Sequence, residues 1–152
     1  MKVIPITSTS RCGPSQEPKR LILPVAPRAN HRLRFAPAGK IPPAMLPGEA
    51  LRKVEEVLAH GYPIKAVEIA GPGDPLTAIG PTLETLQLLR RKYPQLPLEI
   101  ATLGLGGSRY AGSLAEAGAT RITLLVDSVD PEGAAKLYAW VRPGTRTVPL
   151  AQ

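Results

Sequence analysis

Apolar positions along the chain alternate between short continuous runs and helical stripes, four times over. Four runs read as strands: Leu21–Ala26, Ala66–Ala70, Leu98–Ala101 and Arg121–Val126. Between them lie helical segments. The first spans Pro47–His60, where Leu51, Val54, Val57 and Leu58 recur at helical spacing. Pro47 suits its first turn and Gly61 its stop. The second spans Pro81–Tyr93 on a stripe of Leu83, Leu86 and Leu89, widened by Leu88 and ended by Pro94. A third covers Arg109–Ala117 before Gly118, and a fourth covers Pro131–Val141 with Asp130 as N-cap. The centre of the fourth strand is almost wholly apolar, the pattern of a parallel strand covered on both faces.

Strand and helix in strict alternation predict βαβ units around a parallel sheet. The fold class expected is α/β, a partial (β/α) TIM-type barrel of about four βα units with parallel strands. Residues 1–20 carry Pro, Ser, Thr and charge without a period and read as a loosely ordered arm. Residues 21–142 form the partial barrel, with a loop at 27–46, and 143–152 read as a tail. Four units do not close a barrel, so the fourth strand is expected to keep an open edge. That edge predicts a homo-oligomer or a protein partner.

Charge adds a basic bias: 19 Lys and Arg against 12 Asp and Glu give a net charge of +7. Such a balance suits anionic partners. No nucleic-acid motif accompanies it, and aromatic residues for base stacking are scarce, so nucleic acid is not expected. The basic residues read as solvated faces. Cys12 is the single cysteine, which excludes an internal disulfide. With His31 it makes two ligands and no third, too few for a metal site. No apolar run is long enough for a membrane helix, and the first residues lack a signal-peptide pattern, so a cytoplasmic protein is expected.

Four stretches carry more specific chemistry. The first strand runs into Pro27-Arg-Ala-Asn-His-Arg-Leu-Arg-Phe-Ala36. After the second strand comes Gly71-Pro72-Gly73-Asp74-Pro75-Leu76, where two glycines admit close approach to the backbone and two prolines stiffen the turn. Asp74 can serve a ligand or cap nearby amides. After the third strand comes Ala101-Thr102-Leu-Gly-Leu105, and after the fourth Asp127-Ser-Val-Asp-Pro-Glu132, continuing to Tyr138-Ala-Trp-Val-Arg142. In barrels of this kind the carboxyl ends of the strands form the ligand face.

These stretches together resemble the radical S-adenosylmethionine (SAM) superfamily, in particular the branch that builds the nitrogenase iron–molybdenum cofactor. The resemblance covers roughly residues 21–142. It implies a SAM-binding turn at Gly71, Pro72, Gly73, Asp74 and Pro75, with Thr102 and Asp127 as further ligand-side residues. Asp127 stands where the family has Asn and can accept from ribose hydroxyls or cap the next helix. Leu103 replaces a polar Asn and favours packing. Tyr138 and Trp140 read as packing residues.

The family's C-x-x-x-C-x-x-C loop falls on Ala29, Leu33 and Ala36, none of which is a thiolate donor. The loop between Ala36 and Pro47 is also shorter than the family's. The resemblance therefore implies no 4Fe-4S cluster and no radical catalysis, with SAM as a possible small-molecule ligand. Three functions follow as expectations. One is a degenerate homologue that binds SAM or a partner in cofactor assembly. Another is an interaction protein that docks its open sheet edge on another subunit. The third is an enzyme with a non-radical use of SAM.

Overall fold

The structure, a computed structural model, describes residues 17–36, 42–144 and 146–149. Its centre is a four-stranded, all-parallel sheet in the order β1-β3-β4-β5. The strands are β1 (Lys19–Leu23), β3 (Ile64–Ile69), β4 (Leu98–Thr102) and β5 (Arg121–Leu124). Helices α1 (Pro47–Ala59), α2 (Ile79–Lys92) and α3 (Ala111–Glu116) connect them. This is the α/β partial barrel that the alternation predicts.

Register explains which residues form the core. Leu21 and Leu23 pair with Val67 and Ile69, and these with Leu98 and Ile100. The row faces Ala50 and Val54 of α1, Leu86 and Leu89 of α2 and Leu114 of α3 in one cluster. Full burial of each such Leu or Ile stabilises the fold by about 1.5–3 kcal/mol. The alternate residues form a row of charges: Arg20 Nε lies 3.4 Å from Glu68 and 2.8 Å from Glu99, and Arg121 lies 3.4 Å from Glu99. The closer Arg20–Glu99 contact is an ion pair without hydrogen-bond alignment.

Several boundaries depart from expectation. β1 starts at Lys19, inside the stretch read as an arm, because Lys19 and Arg20 pair with β3 although they are polar. The rest of that arm lies outside the described residues. β1 stops before Pro24, which has no N–H to donate. Helix α2 begins two residues before Pro81, which its first turn tolerates because the first N–H groups have no partner there. Helix α1 starts at Pro47 as expected, with the Leu46 N–H donating to the Glu49 carboxylate at 2.8 Å. Gly61 follows it at φ +76°.

A larger correction concerns the last helix. The expected helix to Val141 stops at Leu137: α4 covers Pro131–Leu137, with Asp130 accepting from the Gly133 N–H at 2.7 Å. Tyr138–Val141 is instead strand β6, paired antiparallel with β2 (His31–Leu33), a strand the expected loop 27–46 did not contain. Tyr, Trp and Val fit a pleated surface better than a helix interior, and β2 supplies an edge to pair with. Val148–Pro149 of the expected tail adds a two-residue strand, β7, beyond β6.

β5 is also corrected. The expected burial on both faces does not occur: all four residues are exposed, and the strand ends at Leu124. Among the described residues no strand pairs with its outer edge. None of these residues belongs to the main core cluster. Ile122, Leu124 and Val126 are 43%, 61% and 66% exposed. No helix of the described residues is long and apolar enough to cross a membrane.

Candidate functional site

The carboxyl ends of β1, β3 and β4 meet at the Gly71–Leu76 turn. The turn is stitched to the first strand's continuation. Ala26 donates to the Gly71 carbonyl at 2.9 Å, Gly73 donates to the Ala26 carbonyl at 2.8 Å, and Asp74 donates to the Arg28 carbonyl at 2.9 Å. The Gly71–Pro72 peptide is cis, and Gly71 has φ +63°. Pro75 is buried, and its carbonyl accepts from the Thr82 hydroxyl at 2.8 Å.

Gly73 has a specific steric reason. A Cβ there would lie 2.2 Å from the Arg28 carbonyl oxygen and 2.8 Å from the Ala29 nitrogen. The close approach that glycine permits is thus taken by the chain's own loop. Asp74, 3% exposed, accepts from Leu76 N–H at 2.9 Å, Leu103 N–H at 2.9 Å and the Thr102 hydroxyl at 2.8 Å. The Thr102 oxygen in turn accepts from Gly104 N–H at 3.0 Å. Asp74 therefore caps amides and crosslinks β3 to β4. Leu103 contributes its amide there.

Asp127 stands with a different partner. Its carboxylate accepts from the hydroxyl of Tyr138. The next helix is capped by Asp130 and not by Asp127. Burial, then the hydrogen bond to Asp127, pushes the Tyr138 phenol up to about 12. The structure thus joins Thr102 and Asp74 and leaves Asp127 on the β6 side.

The loop that would hold a cluster is built into the small sheet. Ala29 contacts the Gly73 turn, and Leu33 pairs with Tyr138. Arg34 N–H donates to the Leu137 carbonyl at 2.8 Å, and Arg34 Nε donates to the Ala135 carbonyl at 3.1 Å. Ala29, Leu33 and Ala36 present no donor to iron, so these residues do not fit a cysteine-ligated cluster. Among the described residues no group of three or more His, Cys, Asp or Glu side chains converges on one point. His31 donates from Nδ1 to Asn30 Oδ1 at 3.0 Å and meets the Tyr138 ring edge-on. Cys12 lies outside the described residues.

Beside the turn lies a cleft of about 180 Å³, lined by Asn30, Thr77, Arg109, Tyr110 and Arg142 among others. The sequence reading did not single out this set. Its members lie in four separate segments, and no local pattern links them.

Fold and site together define an α/β protein with an open parallel barrel segment, whose ligand-end turns are crosslinked and whose loop at 29–36 carries no cysteine. Comparison with known proteins identifies its relatives. The chain is 37% identical to the FeMo cofactor biosynthesis protein NifB of Chlorobaculum tepidum over 133 residues, covering 81% of this chain and 31% of that protein. It is 35% identical to NifB of Methanocaldococcus jannaschii, covering 80% of this chain and 44% of that protein. Against NifB of Klebsiella pneumoniae it is 33% identical, covering 80% and 28%. The chain is a homologue of these FeMo cofactor biosynthesis proteins and spans less than half of their length. No protein-family profile matches it.

Proposed function

We propose that this chain acts in FeMo cofactor biosynthesis as a non-radical binding member, without a 4Fe-4S cluster on its 29–36 loop. Ala29, Leu33 and Ala36 at the three ligand positions carry this reading. Reductive cleavage of SAM needs an electron from a cluster, and these side chains cannot hold one. The partnerships of Gly73 and Asp74 add support, because they commit the turn to internal contacts. SAM itself should bind weakly or not at all there.

Two measurements test the proposal. Anaerobic reconstitution with iron and sulfide, followed by iron analysis and visible absorption, should yield no stoichiometric cluster. Four irons per chain would overturn the loss of the cluster. Deletion of the coding sequence in its host should lower the FeMo cofactor content of nitrogenase. Unchanged content would overturn the role in cofactor biosynthesis.

A second reading is favoured by one observation, the exposed apolar edge at Ile122, Leu124 and Val126. The chain then works as an interaction protein that covers β5 with a second copy or another subunit. A non-radical enzymatic use of SAM is the third reading. Calorimetry with SAM separates it from the second: a tight, saturable complex would favour an enzyme.

A further inference from the structure

We infer that the cleft between Arg109 and Arg142 is a binding site for a small oxyanion, a carboxylate or phosphate group. The inference stands apart from the cofactor-assembly reading and rests on four residues.

Among the described residues, two buried polar atoms in this cleft have no partner. Asn30 is 2% exposed, and its Oδ1 is engaged by His31. Its backbone carbonyl accepts from the Arg142 N–H at 2.6 Å. The amide nitrogen Nδ2, with two hydrogens to give, is left over. The Thr77 hydroxyl is likewise buried and unpartnered, while its backbone N–H donates to the Asp74 carbonyl at 3.0 Å. Buried polar groups are nearly always satisfied. Two orphans lining one cleft point to an acceptor that belongs between them.

The charges around them specify the sign. Arg109 stacks on the Tyr110 ring at 5.5 Å, and Arg142 on the Trp140 ring at 5.4 Å. Arg142 Nε donates to the Thr147 hydroxyl at 2.9 Å. Among the described residues neither guanidinium forms an ion pair with a carboxylate and no Asp or Glu lines the cleft. Stacking on a ring holds a guanidinium plane while leaving its N–H edge free for an anion. The space, about 180 Å³, far exceeds the roughly 10–15 Å³ that a single water needs. That admits phosphate or a short dicarboxylate. Leu76 and Leu105 close the apolar side.

Calorimetry of the full chain at low ionic strength, with inorganic phosphate and separately with succinate, tests the site. Chloride at matched ionic strength is the control. Saturable one-to-one binding is expected. Arg109→Gln and Arg142→Gln should each weaken it about tenfold, the weight of one charge-assisted hydrogen-bonding group. Thr77→Val, a near-isosteric change, should weaken it about threefold or more with the circular dichroism spectrum unchanged. Arg91→Gln, on an exposed helix end, should leave affinity as it is. Preference for phosphate or for succinate assigns the chemical source within the oxyanion class. Heat no different from chloride would overturn the inference. So would a folded Arg109→Gln/Arg142→Gln double variant that binds like the wild type.

Discussion

The carboxylate of Asp74 and the hydroxyl of Thr102 lie 2.8–2.9 Å apart, 28 residues from each other along the chain. The contact ties the turn after β3 to the end of β4. Around it the Leu76 and Leu103 amides complete the shell of a buried carboxyl group that has no ion pair among the described residues. Aligned hydrogen-bond donors hold the group in place.

Asp74→Ala should destabilise the fold by about 3 kcal/mol or more, since it strands a buried hydroxyl and two amides. Asp74→Asn, which keeps one acceptor oxygen, should cost less. Urea denaturation measures both. Equal midpoints for wild type and Asp74→Ala would mean that the crosslink carries no stability.

Gly73→Ala should cost about 1–3 kcal/mol through overpacking against the Arg28 carbonyl. Gly80→Ala is the matched control. It sits in α2 with nothing within 4 Å of the added Cβ and should stabilise by about 0.4–1 kcal/mol. If both changes act alike in thermal melts, the packing of the turn on the 28–29 backbone is not what requires glycine.

The Tyr138 phenol, raised to about 12 by burial and by Asp127, gives a pH signature. A folded value above the unfolded value of about 10 contributes stability that is whole below pH ~10 and lost as pH rises toward ~12. Ultraviolet titration of tyrosinate should find one of the four tyrosines lagging the others. Tyr138→Phe should remove that late step. A late step that survives the substitution would assign it elsewhere.

The exposed β5 edge should drive association. Light scattering with size exclusion across a concentration series should show a dimer or larger species, and Leu124→Lys should shift it toward monomer by placing charge on the edge. A monomer throughout, with fast-exchanging amides at 121–124, would count against any partner for this strand.

Much of this molecule was legible in its sequence, and the reason is periodicity. The four parallel strands and the helices between them follow from where apolar residues recur, because burial of one face is a local demand repeated along the chain. That Ala29, Leu33 and Ala36 offer no donor to iron is also legible, since a side chain without a lone pair cannot bind iron in any fold. Tertiary structure alone decided the rest. β6 replaced the end of the last helix because β2 offered a pairing edge that lies about a hundred residues earlier. Gly73 turned out to face the chain's own Arg28 carbonyl. The oxyanion cleft gathers Asn30, Thr77, Arg109 and Arg142 from segments no local pattern connects. Pairing edges, steric approach and convergent charge are relations between distant residues, and they exist only once the sheet has brought those residues together.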